Sequence, residues 1–394
     1  MSGSRAGSLS SRWRRITRRD KRDVLVAAAV LAIAIFLVAI SAVTHSGKRS
    51  DSFGSGMIAG SMPVDTQLYS DPDLLAIAAA REDPRFEPIV QTPQAKWFSD
   101  WSTSEAVRSD IGDYLAGAQA ANAVPTIVLY RIPQLDCGSG IAPDEQAYKG
   151  ARDEQEYKDW VGGAAEALMG HGDAIVILEP DALPHLGQCE QGDRLGMLRY
   201  AVDALSATGS RVYIDAGHGN WLSAAETADR LKELDVDKVE GFSLNVSNYN
   251  TTESEVQYAE SVRSELSKRG VTDSHYIIDI GRNGAGTQDN YCNAPGARLG
   301  DAPQLFHGAA LDGLLWVKNP GETDGLCQGG PMIGFWPQGA LRLLGLEEAH
   351  ATGARSTTEW IVVLVVGCVA AAAVLGFAFV RRRRDADAPP GASK

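Results

Sequence analysis

Short apolar, β-branched runs recur along the middle of this chain, spaced so that one helix fits between most neighbours: PTIVLY (125–130), AIVILE (174–179), RVYIDA (211–216), GFSLNVS (241–247), HYIIDI (275–280) and GLLWVK (313–318). Between them lie DEQEYKDWVGGAAEALM, DRLGMLRYAVDALSAT, SAAETADRLKEL and SEVQYAESVRSELSKR, whose apolar residues repeat with a helical period. A strand that reads as a continuous apolar run is buried on both faces, which happens when helices cover the sheet. The pattern predicts an α/β fold of βα units around a mainly parallel sheet. Six well-spaced units lean towards a barrel over an open sheet.

In both architectures function gathers at the carboxyl ends of the strands. Acids collect there: Asp136 six residues beyond TIVLY, Glu179 and Asp181 after IVIL, Asp215 closing VYI, Asp279 closing YII, and Asp324 beyond LLWVK. Any one of them could serve as a cap or turn residue. Recurrence on one rim argues otherwise, because like charges at short range push pKa values up and are costly unless protonation states are used. Tyr130, Trp97, Trp101, Trp221, Tyr249, Trp316 and Trp336 fall at or near the same rim. Aromatic faces stack on sugar rings, so acids and aromatics together favour a carbohydrate groove.

The charge balance excludes another class. The chain has 37 Lys+Arg and 50 Asp+Glu, and the basic residues crowd the ends, leaving 22 against 46, a net of −24, in residues 50–359. Such a domain repels nucleic acid. Four cysteines lie in this region, Cys137, Cys189, Cys292 and Cys327, with Cys368 further on. In an oxidising compartment they predict two disulfides, with three pairings open. Their spacing, without CxxC, argues against zinc. HExxH and G-x-S-x-G are absent, and GRNGAG (281–286) has the wrong glycine spacing for a dinucleotide loop. Neither a cofactor nor a metal is expected, and the oligomeric state stays open.

Residues 24–43 and 361–380 each run twenty positions without a charge. Each is long enough to cross the roughly 30 Å hydrocarbon layer as a helix. A cleaved signal is the rival for 24–43, but the run is too long and no clean A-x-A site follows. The expected organisation is a basic cytoplasmic tail (1–23), a transmembrane helix (24–43), a Gly- and Ser-rich tether (44–63), a catalytic domain (64–350), a stem (351–360), a second transmembrane helix (361–380) and a cytoplasmic tail (381–394). Basic flanks place both termini inside and the domain outside the cell membrane, with the membrane as a partner.

The blocks LYSDPD, PQAKWF, PTIVLYRIPQLDCG, IVILEPDALP, VYIDAGHGNWL, GFSLNVSNYN, YIIDIGRNG, YCNAPGARLG, WVKNPGETDG and FWPQGALRL, in this order, carry a specific resemblance. The chain resembles glycoside hydrolase family 6, the inverting β-1,4-endoglucanases and cellobiohydrolases. The resemblance implies a distorted, incomplete β/α barrel with an open cleft across its top, and disulfides Cys137–Cys189 and Cys292–Cys327. It implies Asp181 as general acid, Asp136 as the second essential acid that tunes it, Asp324 as base or charge support, and Asp215 as organiser of the cleft. Tyr130 matches the tyrosine that crowds the distorted sugar, and Trp97, Asn245, Trp316, Lys318 and Glu322 match substrate contacts.

Two stretches depart from the family pattern. Ile141 and Ala142 stand where a serine-bearing loop is expected, and Ile280 replaces the serine before GRNG. The interval between Cys292 and Cys327 is short, which implies an open cleft and internal cutting of a β-glucan polymer or oligosaccharide. The expected activity is inverting hydrolysis of internal β-1,4-glucosidic bonds. The alternative is a membrane-tethered β-glucan-binding protein with little turnover.

Overall fold

The computed structural model describes residues 62–137, 150–188 and 192–346, all within the unit that begins at Ile58. Among the described residues the strands are β1 (Met62–Pro63), β2 (Lys96–Phe98), β3 (Thr126–Leu129), β4 (Ile175–Leu178), β5 (Arg211–Asp215), β6 (Gly241–Leu244), β7 (His275–Asp279), β8 (Gln304–His307) and β9 (Leu311–Leu315). They form one sheet in the order β1-β8-β9-β7-β6-β5-β4-β3-β2. From β2 to β7 and on to β9 every pairing is parallel, whereas β8 joins β9, and β1 joins β8, antiparallel.

The continuous apolar runs are explained by two layers. Val128, Ile175, Ile177, Tyr213, Ile277 and Leu315 point to the inside of the curl. Ile127, Leu129, Val176, Leu178, Val212, Ile214, Phe242 and Ile278 point outward to the helices. Those helices, Val107–Ala120, Glu154–Leu168, Arg194–Ser206, Ala224–Glu233 and Thr252–Lys268, alternate with the strands. Four of them start on a side chain that accepts a backbone N–H: Asp153 from Glu156, Asp193 from Gly196, Ser223 from Glu226 and Thr251 from Ser254. Each such cap satisfies a donor that the first turn leaves open.

The sheet curls until β2 lies beside the segment that follows β9. The N–H of Ala95, just before β2, donates to the carbonyl of Trp316, just after β9, at 2.9 Å, and Trp97 Nε1 donates to the carbonyl of Val317 at 2.8 Å. No strand ladder closes this seam among the described residues, so the architecture is an open, curled half-barrel, a distorted β/α barrel.

The membrane part of the expectation is corrected. The segments 24–43 and 361–380 lie outside the described residues, and among the described residues no helix is long and apolar enough to cross a membrane. Among the described residues the fold class is therefore the half-barrel with no membrane-spanning helix, and nothing there supports the expected membrane partner or cell-membrane location. Cys292 and Cys327 are joined by a disulfide. Cys137 is also disulfide-bonded, while Cys189, its expected partner, lies outside the described residues, as do Ile141 and Ala142.

Candidate active site

A cleft of about 640 Å³ opens at the carboxyl ends of the strands, with Trp97, Tyr130, Asp136, Asp181, Lys318, Glu322 and Asp324 among the residues on its wall. Its acids are placed by strained backbone. Glu179 and Asp181 flank Pro180 with φ of 49° and 67°, a left-handed region that costs side-chain-bearing residues about 1–3 kcal/mol and persists only where the surroundings enforce it.

Two carboxylates supply that enforcement. Glu179 is fully buried and does not reach the cleft. Its oxygens accept the N–H of Arg131, at 3.0 Å to each, and the N–H of Ile132 at 3.0 Å, which ties the turn to the end of β3. Burial pushes its carboxyl up to about 7. Asp215, at the end of β5 and also fully buried, accepts the N–H of Asp181 at 2.9 Å, the N–H of Gly217 at 3.1 Å and the hydroxyl of Ser243 at 3.0 Å. Burial raises it to about 7 as well.

Held in this way, Asp181 presents its carboxyl to the cleft. Its Oδ1 is buried without a hydrogen-bond partner among the described residues. Burial, then the neighbouring charges of Asp136 and Asp215, raise its proton affinity well above the usual carboxylate range. Asp136 is raised by burial too, although Tyr130 Oη, donating to its Oδ1 at 2.6 Å, opposes the shift. The Tyr130 ring meets Trp97 edge-on at 5.5 Å between centroids, and Trp97 accepts through its carbonyl from the indole of Trp101 at 3.1 Å. This line of contacts runs from the acid pair to a rim tryptophan that is 50% exposed.

Asp324 stands in a different environment. Arg282 Nη1 lies 2.8 and 2.9 Å from its two oxygens, the N–H of Asn293 donates at 2.8 Å, Tyr249 Oη at 3.2 Å, and Lys318 Nζ is 3.7 Å away. Burial alone would raise this carboxyl, but the two cations overcome it and hold it below the ordinary range. Glu322 is raised by burial against the pull of Lys318. The cleft thus holds two acids with contrary tendencies, Asp181 with its proton affinity raised and Asp324 with its proton affinity lowered.

Two expected substrate contacts are not brought to the cleft wall. Asn245 is buried, and its amide donates to the carbonyls of Asn250 and Asp279. Trp316 packs in the helix-facing layer and donates to the carbonyl of Asp301 at 2.9 Å. Asp215 lies beneath the cleft, bonded to the backbone of Asp181. Asp279 is a clamp, its carboxylate accepting the N–H groups of Ser247, Gly281, Val317 and Lys318. Sequence reasoning missed Arg282, which stands three residues past the end of β7 and has no local signal of its pairing with Asp324.

At the amino-terminal ends of the strands, Glu240, His275 and Asp312 bring ligand-type atoms within 4.8 Å of one another. Arg211 already pairs with both carboxylates of that cluster, 3.1 Å from Asp312 Oδ2 and 3.8 Å from Glu240 Oε1. His275 Nδ1, 3.0 Å from Asp312 Oδ1, completes an ion-paired staple across β5, β7 and β9.

A curled β/α half-barrel whose cleft holds Asp181, with its proton affinity raised, and Asp324, fixed by Arg282 and Lys318, beside Trp97, Trp101 and Tyr130 has the make-up of a glycoside hydrolase. Residues 72–333 match the family described as Glycosyl hydrolases family 6, and the chain belongs to that family. It is 41% identical over 263 residues to Endoglucanase A of Cellulomonas fimi, covering 66% of this chain and 56% of that protein. It is 35% identical to Endoglucanase 1 of Streptomyces halstedii, covering 70% and 88% respectively. Among solved structures, the endoglucanase Cel6 from Mycobacterium tuberculosis is similar with a TM-score of 0.64 and 37% identity, over 74% of this chain and 98% of that one.

Proposed function

We propose that this chain hydrolyses internal β-1,4-glucosidic bonds of cellulose-like glucans or their oligosaccharides with inversion at the anomeric carbon. The Mycobacterium tuberculosis endoglucanase was solved with methyl-cellobiosyl-4-deoxy-4-thio-β-D-cellobioside bound, and the aromatic and hydroxyl-binding groups of this cleft suit the same sugar chemistry. The observation that carries the reading is the placement of Asp181, on an enforced left-handed turn, with an oxygen that has no partner among the described residues and a proton affinity raised by burial and by two neighbouring acids.

The chemistry follows from that placement. Asp181 gives its proton to the glycosidic oxygen as the bond to the anomeric carbon breaks, so the alkoxide leaves as an alcohol. Positive charge grows on the ring, and Asp324, already ionised and saturated with donors, suits charge support better than proton removal. Water enters from the opposite face, a geometry that needs roughly 6.5–9.5 Å between acid and water-activating group. Asp136 tunes Asp181 and serves the relay that carries the water's proton away.

Replacing Asp181 by Asn tests this reading. The variant keeps shape and stacking but loses the proton, so kcat on unactivated β-1,4-glucan should drop about 10²–10⁴-fold while oligosaccharide binding is retained. An aryl glycoside with an acidic phenol as leaving group should suffer less. Binding of cello-oligosaccharides without turnover by the wild type would leave a glucan-binding protein.

A further inference from the structure

Arg194 is 5% exposed, opens the helix Arg194–Ser206 and does not line the cleft. Its guanidinium donates from Nε to the carbonyl of Ala182 at 3.2 Å, from Nη1 to the carbonyl of Pro133 at 3.3 Å and from Nη2 to the carbonyl of Leu135. These acceptors belong to the two segments that carry the acid pair. Leu135 immediately precedes Asp136, and Ala182 immediately follows Asp181.

Both segments need such a tie. Gln134, Leu135 and Cys137 have φ of 64°, 38° and 58°, and Glu179 and Asp181 flank Pro180 with positive φ as well, so neither turn would hold its geometry alone. A planar guanidinium offers donors in fixed directions, which an ammonium cannot reproduce. It also lays a positive charge behind Glu179, Asp136 and Asp181.

We propose that Arg194 is the positioning residue of the acid pair, a buried cationic staple that sets both the separation of Asp136 from Asp181 and the number of protons the two share. The proposal rests on the reading of Asp181 as proton donor. Asp181 is faced by Asp136, Asp215, Arg194 and Asp324, Asp136 by Tyr130, His185 and Arg194, and Arg194 by Glu179, Asp136, Tyr157 and Tyr130. In both acids Arg194 favours the ionised form, so its removal strengthens proton binding at each, and both limbs of the activity profile move to higher pH.

The test compares Arg194→Met and Arg194→Lys in kcat–pH profiles on a soluble cello-oligosaccharide, with KM and thermal melting recorded alongside. Arg194→Met should move the optimum upward by on the order of one pH unit. Arg194→Lys keeps the charge but cannot span three carbonyls, so its optimum should stay while kcat falls about 10-fold or more, because small misplacements of reacting groups are costly. KM should change less than about twofold in both, as expected for a loss confined to the chemical step. A folded Arg194→Met with reduced kcat and an unmoved optimum would overturn the proposal, as would wild-type kcat in Arg194→Lys. If Arg194→Met does not fold, the lysine variant decides alone by the same criterion. Asp181→Asn run in parallel separates the two readings: full turnover there sinks the donor assignment, whereas an inactive Asp181→Asn beside an unmoved Arg194→Met optimum sinks only the staple.

Discussion

Asp215 Oδ1 accepts the backbone N–H of Asp181 at 2.9 Å, so one buried carboxylate holds the backbone from which another acid reaches into the cleft. Asp215→Ala removes the carboxylate that accepts that N–H and the N–H of Gly217. A buried donor left unsatisfied costs about 1–3 kcal/mol, and the strained turn loses its restraint. The expected result is a lower melting temperature and a kcat reduced at least about 10-fold with KM little changed, the pattern of an interaction that matters in the chemical step. Steady-state kinetics on oligosaccharides reads this directly, and an unchanged kcat would show that Asp181 needs no such support.

Buried acids also set how stability responds to pH. Burial raises Glu179, Asp215 and Glu255 to about 7, whereas in the unfolded chain carboxyls release their protons near pH 4. Between those limits the folded state binds more protons than the unfolded one, so this contribution is complete below about pH 4 and is lost as pH rises through about 7. His275, raised chiefly by its hydrogen bond with Asp312, acts in the same direction. Calorimetry should find a higher melting temperature at pH 5 than at pH 8. A melting temperature that climbs over this interval would contradict the protonation states assigned here.

The cleft rim bears on where a polymer is cut. Trp101, Tyr291 and Ile333 line the cleft yet are 50%, 62% and 59% exposed, so no described segment roofs them and a chain can enter away from its ends. With carboxymethylcellulose, viscosity should fall faster than reducing ends accumulate. Cellobiose as nearly the sole early product, with viscosity preserved, would point to processing from chain ends.

Much of this was readable from local pattern, because buried parallel strands write themselves as apolar runs and acids at their ends mark the functional rim. The runs at 125–130, 174–179, 211–216, 241–247, 275–280 and 313–318 correspond to β3, β4, β5, β6, β7 and β9. Strands β1 and β2 are two and three residues long, too short for a period to register, while β8, as long as β3, β4 and β6, is only partly buried and lacks their continuous apolar run. Trp316, which the family resemblance offers as a substrate contact, lies in the helix-facing layer, and strand parity gives the reason. Leu315 and Val317 face the inside of the curl, so the residue between them must face the helices. Arg282 was invisible for another reason: its partner Asp324 is 42 residues away, and no local pattern announces a contact between two distant loops. The fixed charge of Asp324 and the buried supports of Asp181 are tertiary facts of that kind.

The most direct test of the central claim is the anomeric form of the first product, followed by NMR while the wild-type protein cleaves a β-1,4-linked cello-oligosaccharide. Direct attack by water on the face opposite the leaving group, with Asp181 as proton donor, yields the α-anomer first, and the β-anomer should grow in only by mutarotation. An initial burst of β-anomer would mean a covalent intermediate and two displacements, and would contradict the roles assigned to Asp181, Asp136 and Asp324.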